Sequence, residues 1–346
     1  MKTTLFCKNP YAFGILKPLY DELISKNHSV IWYVPEDILE KFPHKNECIY
    51  TSNIQDISDF KNDVIIVPGN EVPHNLRGFK VQIFHGLAGE KKGHFRIRKY
   101  FDLYLTQGPY FTDRFKNLAK KFKDFDVIET GWSKLDLLFQ HKQLYSEEKQ
   151  NLLKKHNAKR IVLYAPTFSP SLTSAIALQD EIFKLADNDT LLLIKFHDLM
   201  DKQFINDYKT VCEKTLNAEI ISENNIIKYL ILSDLMISDT SSVVYEFLLL
   251  DKPVITFNSN SENIKWKDIS DPKELLSTFK DIIEFDNSKT NRKWVIDNYH
   301  PYTDGLSSKR IIETLEEYIK RNPIPEKRKI PWGRKRKMIK MFGKIN

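Results

Sequence analysis

The sequence predicts an α/β protein made of two doubly wound, Rossmann-like domains, and three observations predict it. Short apolar runs recur along the chain, and several end at a glycine, as strands of a parallel sheet buried on both faces do. Helix-patterned stretches separate these runs, and the alternation restarts in the second half. The length of 346 residues exceeds what one core usually supports.

In chain order, "TTLFC" reads as a strand, "ILKPLYDELISKN" as a helix and "HSVIWYV" as a second strand. "DVIIVPG", "KVQIFHG" and "FDLYLTQG" follow as three further strands, each stopped by glycine. From Gly131 to Lys155 the pattern turns charged and helical, the expected link between halves. "RIVLYAPT" then opens the second half as a strand, followed by a helix over "SAIALQDEIFKLADN" and a strand at "TLLLIKFH". "LMIS", "SSVVYEFLLL" and "KPVITF" complete it as strand, helix and strand. The expected divisions are 1–150, 151–322 and a basic tail over 323–346, with the two domains facing each other across a cleft.

Composition narrows the function classes. Hydrophobic residues at 41% and aromatics at 12% are ample for burial, which excludes a disordered chain. Cys7, Cys48 and Cys212 are far apart and form no CxxC pair, so neither a disulfide framework nor a zinc site is expected. No HExxH, GxSxG or convincing paired-acid motif occurs, and no metal or cofactor is expected. The apolar run before Pro10 is too short for a signal peptide, and no run is long enough for a membrane span. A cytoplasmic protein is expected.

Of the net charge of +7, the segment from Pro325 to Asn346 carries +8, nine Lys and Arg against Glu326, which leaves −1 for the rest. With Trp332, Ile339, Met341 and Phe342 interleaved, this segment reads as interfacial, suited to an anionic membrane surface. A solvated basic tail is the alternative. Nucleic acid is disfavoured, because the body of the chain has no basic stripe.

Ligands of doubly wound sheets gather beyond the carboxyl ends of strands, and the polar clusters fall there. His85 and Gly86 follow "VQIF", Thr167 follows "VLYAP", Lys195 and His197 close "LLLIKFH", and Ser238, Asp239, Thr240, Ser241 and Ser242 follow "LMI". A strand, five small polar residues and a helix make an anion site suited to phosphate, through free first-turn N–H groups and hydroxyls. Plain helix capping by Asp239 or Ser241 is the alternative. Glu246, a turn further on, reaches for a ribose hydroxyl or is simply solvated. His197 donates to a phosphate oxygen, carries a proton or is a structural strand end. Around His85, Gly86, Gly89 and Gly93 permit close backbone approach, and Lys91 and Lys92 add charge. His94, Arg96 and Arg98 form either a basic helix face or an acceptor-phosphate contact. "ETGWSKLD" and "YTDGLSSKR" read as turn chemistry.

Set together, "HGLAGEKKG", "YAPT", "KFH", "SDTSSVVYEF", "DKP" and "DGLSSKRI" occur in the order found in the CDP-glycerol glycerophosphotransferase family, the wall teichoic acid primases and polymerases, which the chain resembles. Leu87 stands where that family commonly has threonine, Asp198 where it has proline, and "GWSKLD" replaces a GYPRND-like segment. The resemblance implies a glycosyltransferase-B-like (GT-B-like) fold and a transferase of cell-surface polysaccharide, teichoic acid or capsule biosynthesis. Such an enzyme moves glycerol phosphate, or ribitol phosphate, from a CDP-polyol donor to a lipid-linked glycan acceptor and releases CMP. By the same resemblance His85 is the general base, His197 and Ser241–Ser242 grip the donor diphosphate, and Glu246 holds the ribose. Thr167 lines the same cleft. Length close to a catalytic domain implies single addition rather than long-chain polymerisation, at the inner face of the cell membrane. A UDP-sugar glycosyltransferase or 2-epimerase shares the architecture, and a non-enzymatic membrane scaffold is the remaining class.

Overall fold

A computed structural model describes residues 1–89, 93–141, 143–223, 225–261 and 264–344. The chain divides into two compact units, Met1–Leu137 with Tyr299–Asn346, and Leu138–Asn298. The break therefore falls before the expected residue 150, and residues 299–322 return to the first unit instead of closing the second.

The first unit holds a seven-stranded sheet of β1 (Lys2–Phe6), β2 (Ser29–Tyr33), β3 (Tyr50–Thr51), β4 (Val64–Val67), β5 (Phe79–Gln82), β6 (Leu103–Thr106) and β7 (Asp126–Glu129). All neighbours pair in parallel, in the order β3-β2-β1-β4-β5-β6-β7. The chain winds outward from β1 to one edge, then crosses back to β4 and winds to the other. The switch point lies between β1 and β4. Every residue of β4, β5 and β6 is buried, as strands covered on both faces require. The helix Ala12–Ser25 covers one face because Ala12, Ile15, Leu16, Leu19 and Leu23 recur at helical spacing and are buried. Truncating fully buried Leu19 to alanine is expected to cost about 2–5 kcal/mol.

Two segments explain why the first unit closes with the C-terminus. Asp136 is buried, and its carboxylate accepts the N–H groups of Ser307 (2.8 Å) and Ser308 (2.7 Å), capping the helix Ser307–Arg321 from across the fold. Arg328 then docks the basic segment, donating to the carbonyls of Lys99 and Asp124 and pairing with Asp102. Gly78 N–H donates to the Pro325 carbonyl (2.9 Å). On the helix Trp332–Phe342, Met338 is buried in the core of the first unit, and Phe342 meets Phe6 edge-on at 5.6 Å. The expected free tail is a component of the first unit, because its apolar residues at i and i+4 fill that core.

The second unit holds β8 (Arg160–Tyr164), β9 (Thr190–Ile194), β10 (Ala218–Ile220), β11 (Leu235–Ser238), β12 (Val254–Phe257) and β13 (Lys267–Ile269). They pair in parallel in the order β10-β9-β8-β11-β12-β13, which puts the switch point between β8 and β11. The helix expected over residues 174–188 shrinks to Gln179–Ile182 and a 3-10 turn, Phe183–Leu185. Competing partners hold the start of that stretch. The Asp239 carboxylate takes the Ser174 N–H, and the Tyr208 hydroxyl donates to the Ala175 carbonyl.

Candidate functional site

At the switch point of the second unit, the carboxyl ends of β9, β8 and β11 lie side by side and carry His197, Thr167 and Ser238–Ser242. The five polar residues after β11 divide by burial. Ser238 is buried and its hydroxyl donates to the Ala165 carbonyl (2.7 Å), tying the ends of β8 and β11. Asp239 is buried too, and its carboxylate accepts the Thr167 N–H (3.0 and 3.1 Å), the Ser174 N–H (2.8 Å) and the Ser174 hydroxyl (2.9 Å). Burial raises its pKa above the ordinary carboxylate value, and the bonds from Ser174 and Thr167 oppose that rise. Asp239 thus does not cap the helix with its side chain; its carboxylate holds the path of the loop after β8. Ser238 and Asp239, both expected to bind a donor, hold backbone groups of the neighbouring strand end and loop.

Thr240, Ser241 and Ser242 remain half-buried at the strand end. The Thr240 hydroxyl accepts the Asn260 N–H (3.0 Å), and the Ser241 hydroxyl accepts the Val243 N–H at 3.4 Å. Ser242 is the N-cap of the helix Val243–Leu248 and makes no side-chain cap bond. Glu246 is 3% exposed on that helix, so the solvated alternative is excluded. Lys195 is also buried, and its ammonium donates to the Phe196 carbonyl (3.1 Å) instead of extending into solvent.

His197 is exposed, beside the Phe168 ring with centroids 4.5 Å apart. Its Nδ1 accepts the Leu199 N–H (3.1 Å). An accepting Nδ1 carries no proton, so the neutral ring bears its proton on Nε2. Partial burial lowers the pKa, with Asp198 opposing and Lys195 reinforcing. His197 is therefore an Nε2–H donor at neutral pH.

At the switch point of the first unit, His85 lies beyond β5, Pro68 beyond β4 and Tyr11 beyond β1. The His85 Nδ1 is 3.1 Å from the Pro68 carbonyl oxygen. A carbonyl only accepts, so Nδ1 carries the proton and the basic lone pair falls on Nε2. The Tyr11 ring stacks on His85 at 5.0 Å and 29°. The Gly86 carbonyl accepts from the Gln107 side chain (3.1 Å). Neither Tyr11 nor Pro68 stood out in the sequence, although both follow strand runs, the one signal that marks them.

The glycine reading needs correction at Gly89. A Cβ there would lie 2.6 Å from the Tyr110 ring, so its smallness serves internal packing and not a ligand. Gly93 has φ +97°, a conformation that favours glycine. Lys91 and Lys92 lie outside the described residues. His94 to Arg98 form no helix, and His94 sits in an aromatic nest. "GWSKLD" and "DGLSSKR" are brought together: besides the Asp136 cap, Trp132 N–H donates to His300 Nε2 (3.0 Å) and Arg310 to the Thr130 carbonyl (2.9 Å). Among the described residues no group of three or more His, Cys, Asp and Glu side chains is placed to hold a metal, and no helix is long and apolar enough to cross a membrane.

Comparison with known proteins follows the same lines. The chain is 26% identical over 274 residues to the teichoic acid ribitol-phosphate polymerase TarL of Staphylococcus aureus, covering 71% of this chain and 47% of that protein. It is 23% identical to the teichoic acid glycerol-phosphate primase of Bacillus subtilis, covering 71% and 66%. The chain thus spans about half to two-thirds of the length of these relatives. In fold it is similar to the wall teichoic acid polymerase TagF, with a TM-score of 0.66 over 93% of this chain and 89% of that one at 17% identity. It is also similar to the UDP-GlcNAc 2-epimerase of Neisseria meningitidis, with a TM-score of 0.64 over 92% and 100% at 16% identity. Both likenesses show the expected GT-B-like fold of two Rossmann-like units. Residues 86–317, from the glycine after His85 through both strand-end clusters to the capped C-terminal helix, match one family throughout, and the chain belongs to the CDP-Glycerol:Poly(glycerophosphate) glycerophosphotransferase family.

Proposed function

We propose that the protein transfers glycerol phosphate, or the closely related ribitol phosphate, from a CDP-activated donor to a hydroxyl of a lipid-linked or cell-surface glycan. The acceptor oxygen attacks the phosphorus bearing the polyol, the bond from that phosphorus to the bridging diphosphate oxygen breaks, and CMP leaves. The acceptor proton passes to His85 Nε2. Donation from His197 Nε2–H, with the Thr240–Ser242 hydroxyls and the helix start at Ser242, neutralises charge growing on the leaving phosphate. Thr167 and Gly86 line the two strand ends, and Glu246 holds the donor ribose. The observation that carries this reading is the pair of opposite tautomers: a basic Nε2 on His85 and a donating Nε2–H on His197.

Calorimetry tests it with CDP-glycerol, CDP-ribitol, CMP and UDP-N-acetylglucosamine, on the wild type and Ser241→Ala. Binding of a CDP-polyol that Ser241→Ala weakens is the expected result and names the donor. Binding of the UDP-sugar alone overturns it in favour of a glycosyltransferase or epimerase.

The basic segment supports a place at an anionic membrane surface through its outer face only. Trp332 is 66% exposed and carries Arg336 over its ring at 3.5 Å, and Lys335 and Lys340 are exposed beside it. Point substitution suits the test better than deletion, because removing residues 325–346 also removes Arg328 and Met338 from the first unit. Replacing Lys335, Arg336 and Lys340 with serine is expected to abolish sedimentation with phosphatidylglycerol vesicles; unchanged sedimentation refutes the membrane role.

A further inference from the structure

His85 leaves the sheet through an unusual residue. Phe84 has φ +63°, the left-handed region that an aromatic side chain enters only under strain. Such a conformation persists when its surroundings over-determine it. Phe84 is 3% exposed, and its ring is held on several sides. His94 stacks on it at 5.1 Å and 11°, Phe115 packs at 5.0 Å, and Tyr104 lies at 6.1 Å. His94 is itself fixed among Phe95 at 5.0 Å and Phe111 at 5.3 Å.

We infer that His94 is a positioning residue for His85, acting through the Phe84 ring to keep the left-handed turn that aims His85 at the Pro68 carbonyl. The inference rests on His85 being the base of the proposed transfer. The geometry is direct: Phe84 and His85 share a peptide unit, so a return of Phe84 to φ near −120° rotates that unit and carries the His85 ring from its Nδ1 acceptor. Without the carbonyl, nothing in this contact fixes the proton on Nδ1, and the two tautomers mix. Burial supports the stack by holding His94 neutral, with a pKa lowered to about 3, and His85 when protonated, Arg98 and Arg114 push the same way. A neutral imidazole face packs on phenylalanine without the desolvation cost of an imidazolium.

The test is side-chain nitrogen NMR of the full chain with 15N-labelled histidine, the His85 signals being assigned by their loss in His85→Gln. In the wild type His85 is expected to show a dominant Nδ1–H tautomer. His94→Ala is expected to convert it to a mixture and to lower kcat by ten- to a hundredfold, on the order expected for a misplaced reacting group, with donor KM unchanged. His94→Phe, which keeps the stack without the nitrogens, is expected to restore both. If His94→Ala does not fold, His94→Leu fills the volume without the stack and gives the same two readings. An unchanged His85 tautomer pattern in a folded His94→Ala or His94→Leu protein overturns the inference. A tautomer shift in a protein that transfers no polyol phosphate upholds the coupling and refutes the function instead, so the two failures are distinguishable.

Discussion

His85 and His197 each follow a buried parallel strand at a switch point, each exposes its ring, and each makes one backbone contact through Nδ1. The contacts are opposite in kind. His85 meets a carbonyl, that of Pro68, and must donate; His197 meets an amide, that of Leu199, and must accept. One backbone atom therefore decides which nitrogen holds the proton, and with it whether the outward nitrogen is a base or a donor. Residue type and strand-end position, which sequence shows, leave that choice open. The loop partner makes it.

Glutamine substitution breaks or sharpens the comparison most strongly. Its amide supplies an N–H near the Nε2 position but no basic nitrogen. His85→Gln is expected to lower kcat by about 10²–10⁴-fold, as loss of a positioned general base does, with donor affinity intact. His197→Ala is expected to cost on the order of 10²-fold, as loss of one preorganised donor does, while His197→Gln recovers most of it. Steady-state kinetics on a soluble acceptor reads both. Activity kept in His85→Gln and lost in His197→Gln would reverse the two roles.

The two units also differ in their buried histidines. His94 and His300, both in the first unit, have pKa values lowered from 6.5 to about 3, mainly by burial, and His44 and His74 in that unit shift the same way. In the second unit His197, whose pKa also shifts downward, is exposed. A group whose folded pKa is depressed contributes stability that is complete above the unfolded value and is lost as pH falls toward the folded one. For His94 and His300 that window runs from 6.5 down to about 3. Asp136 and Asp239, one in each unit, shift upward by burial and so do not separate the units. On acidification the first unit is expected to lose protection first, with a slope approaching two protons, in amide exchange normalised to intrinsic rates. Simultaneous loss in both units would contradict this.

The interior of each sheet was legible in the sequence, and the edges were not. β4, β9 and β11 are buried along their whole length and leave apolar runs broken only at a strand end, by Thr190 and Ser238, while β5 is buried although Lys80 and Gln82 interrupt its pattern. β7, β10 and β13 are three or four residues of mixed polarity, half-buried at or beside an edge, and carry no such signature. The strand-end clusters were legible for the same reason as the interior strands they terminate. What could not be read was long-range: that Asp136 caps a helix 171 residues away in sequence, that Met338 completes a core begun at Phe6, and that Tyr11 covers His85. Local pattern also overstated the helix at 174–188, where the Asp239 carboxylate offers the backbone a better partner than the helix does.

Asp239 gives the smallest of the expected effects and the one that best separates scaffold from ligand contact. Its carboxylate accepts hydrogen bonds from Thr167 N–H, Ser174 N–H and Ser174 Oγ–H in a buried setting. Asparagine keeps one oxygen and turns an NH₂ toward at least one of those donors, leaving a buried group unsatisfied at about 1–3 kcal/mol. For a unit of this size a loss of about 2 kcal/mol lowers Tm by roughly 4–8 °C. Donor KM should rise modestly in Asp239→Asn through the displaced Thr167 loop, and the kcat dependence on His85 should stay as it is. Calorimetry alongside donor titration decides the matter. A loss of donor binding with Tm unchanged would make Asp239 a direct ligand, the role its place among five polar residues first suggested. A lowered Tm with a small KM change shows instead that the acid builds the floor on which Thr240, Ser241 and Ser242 stand.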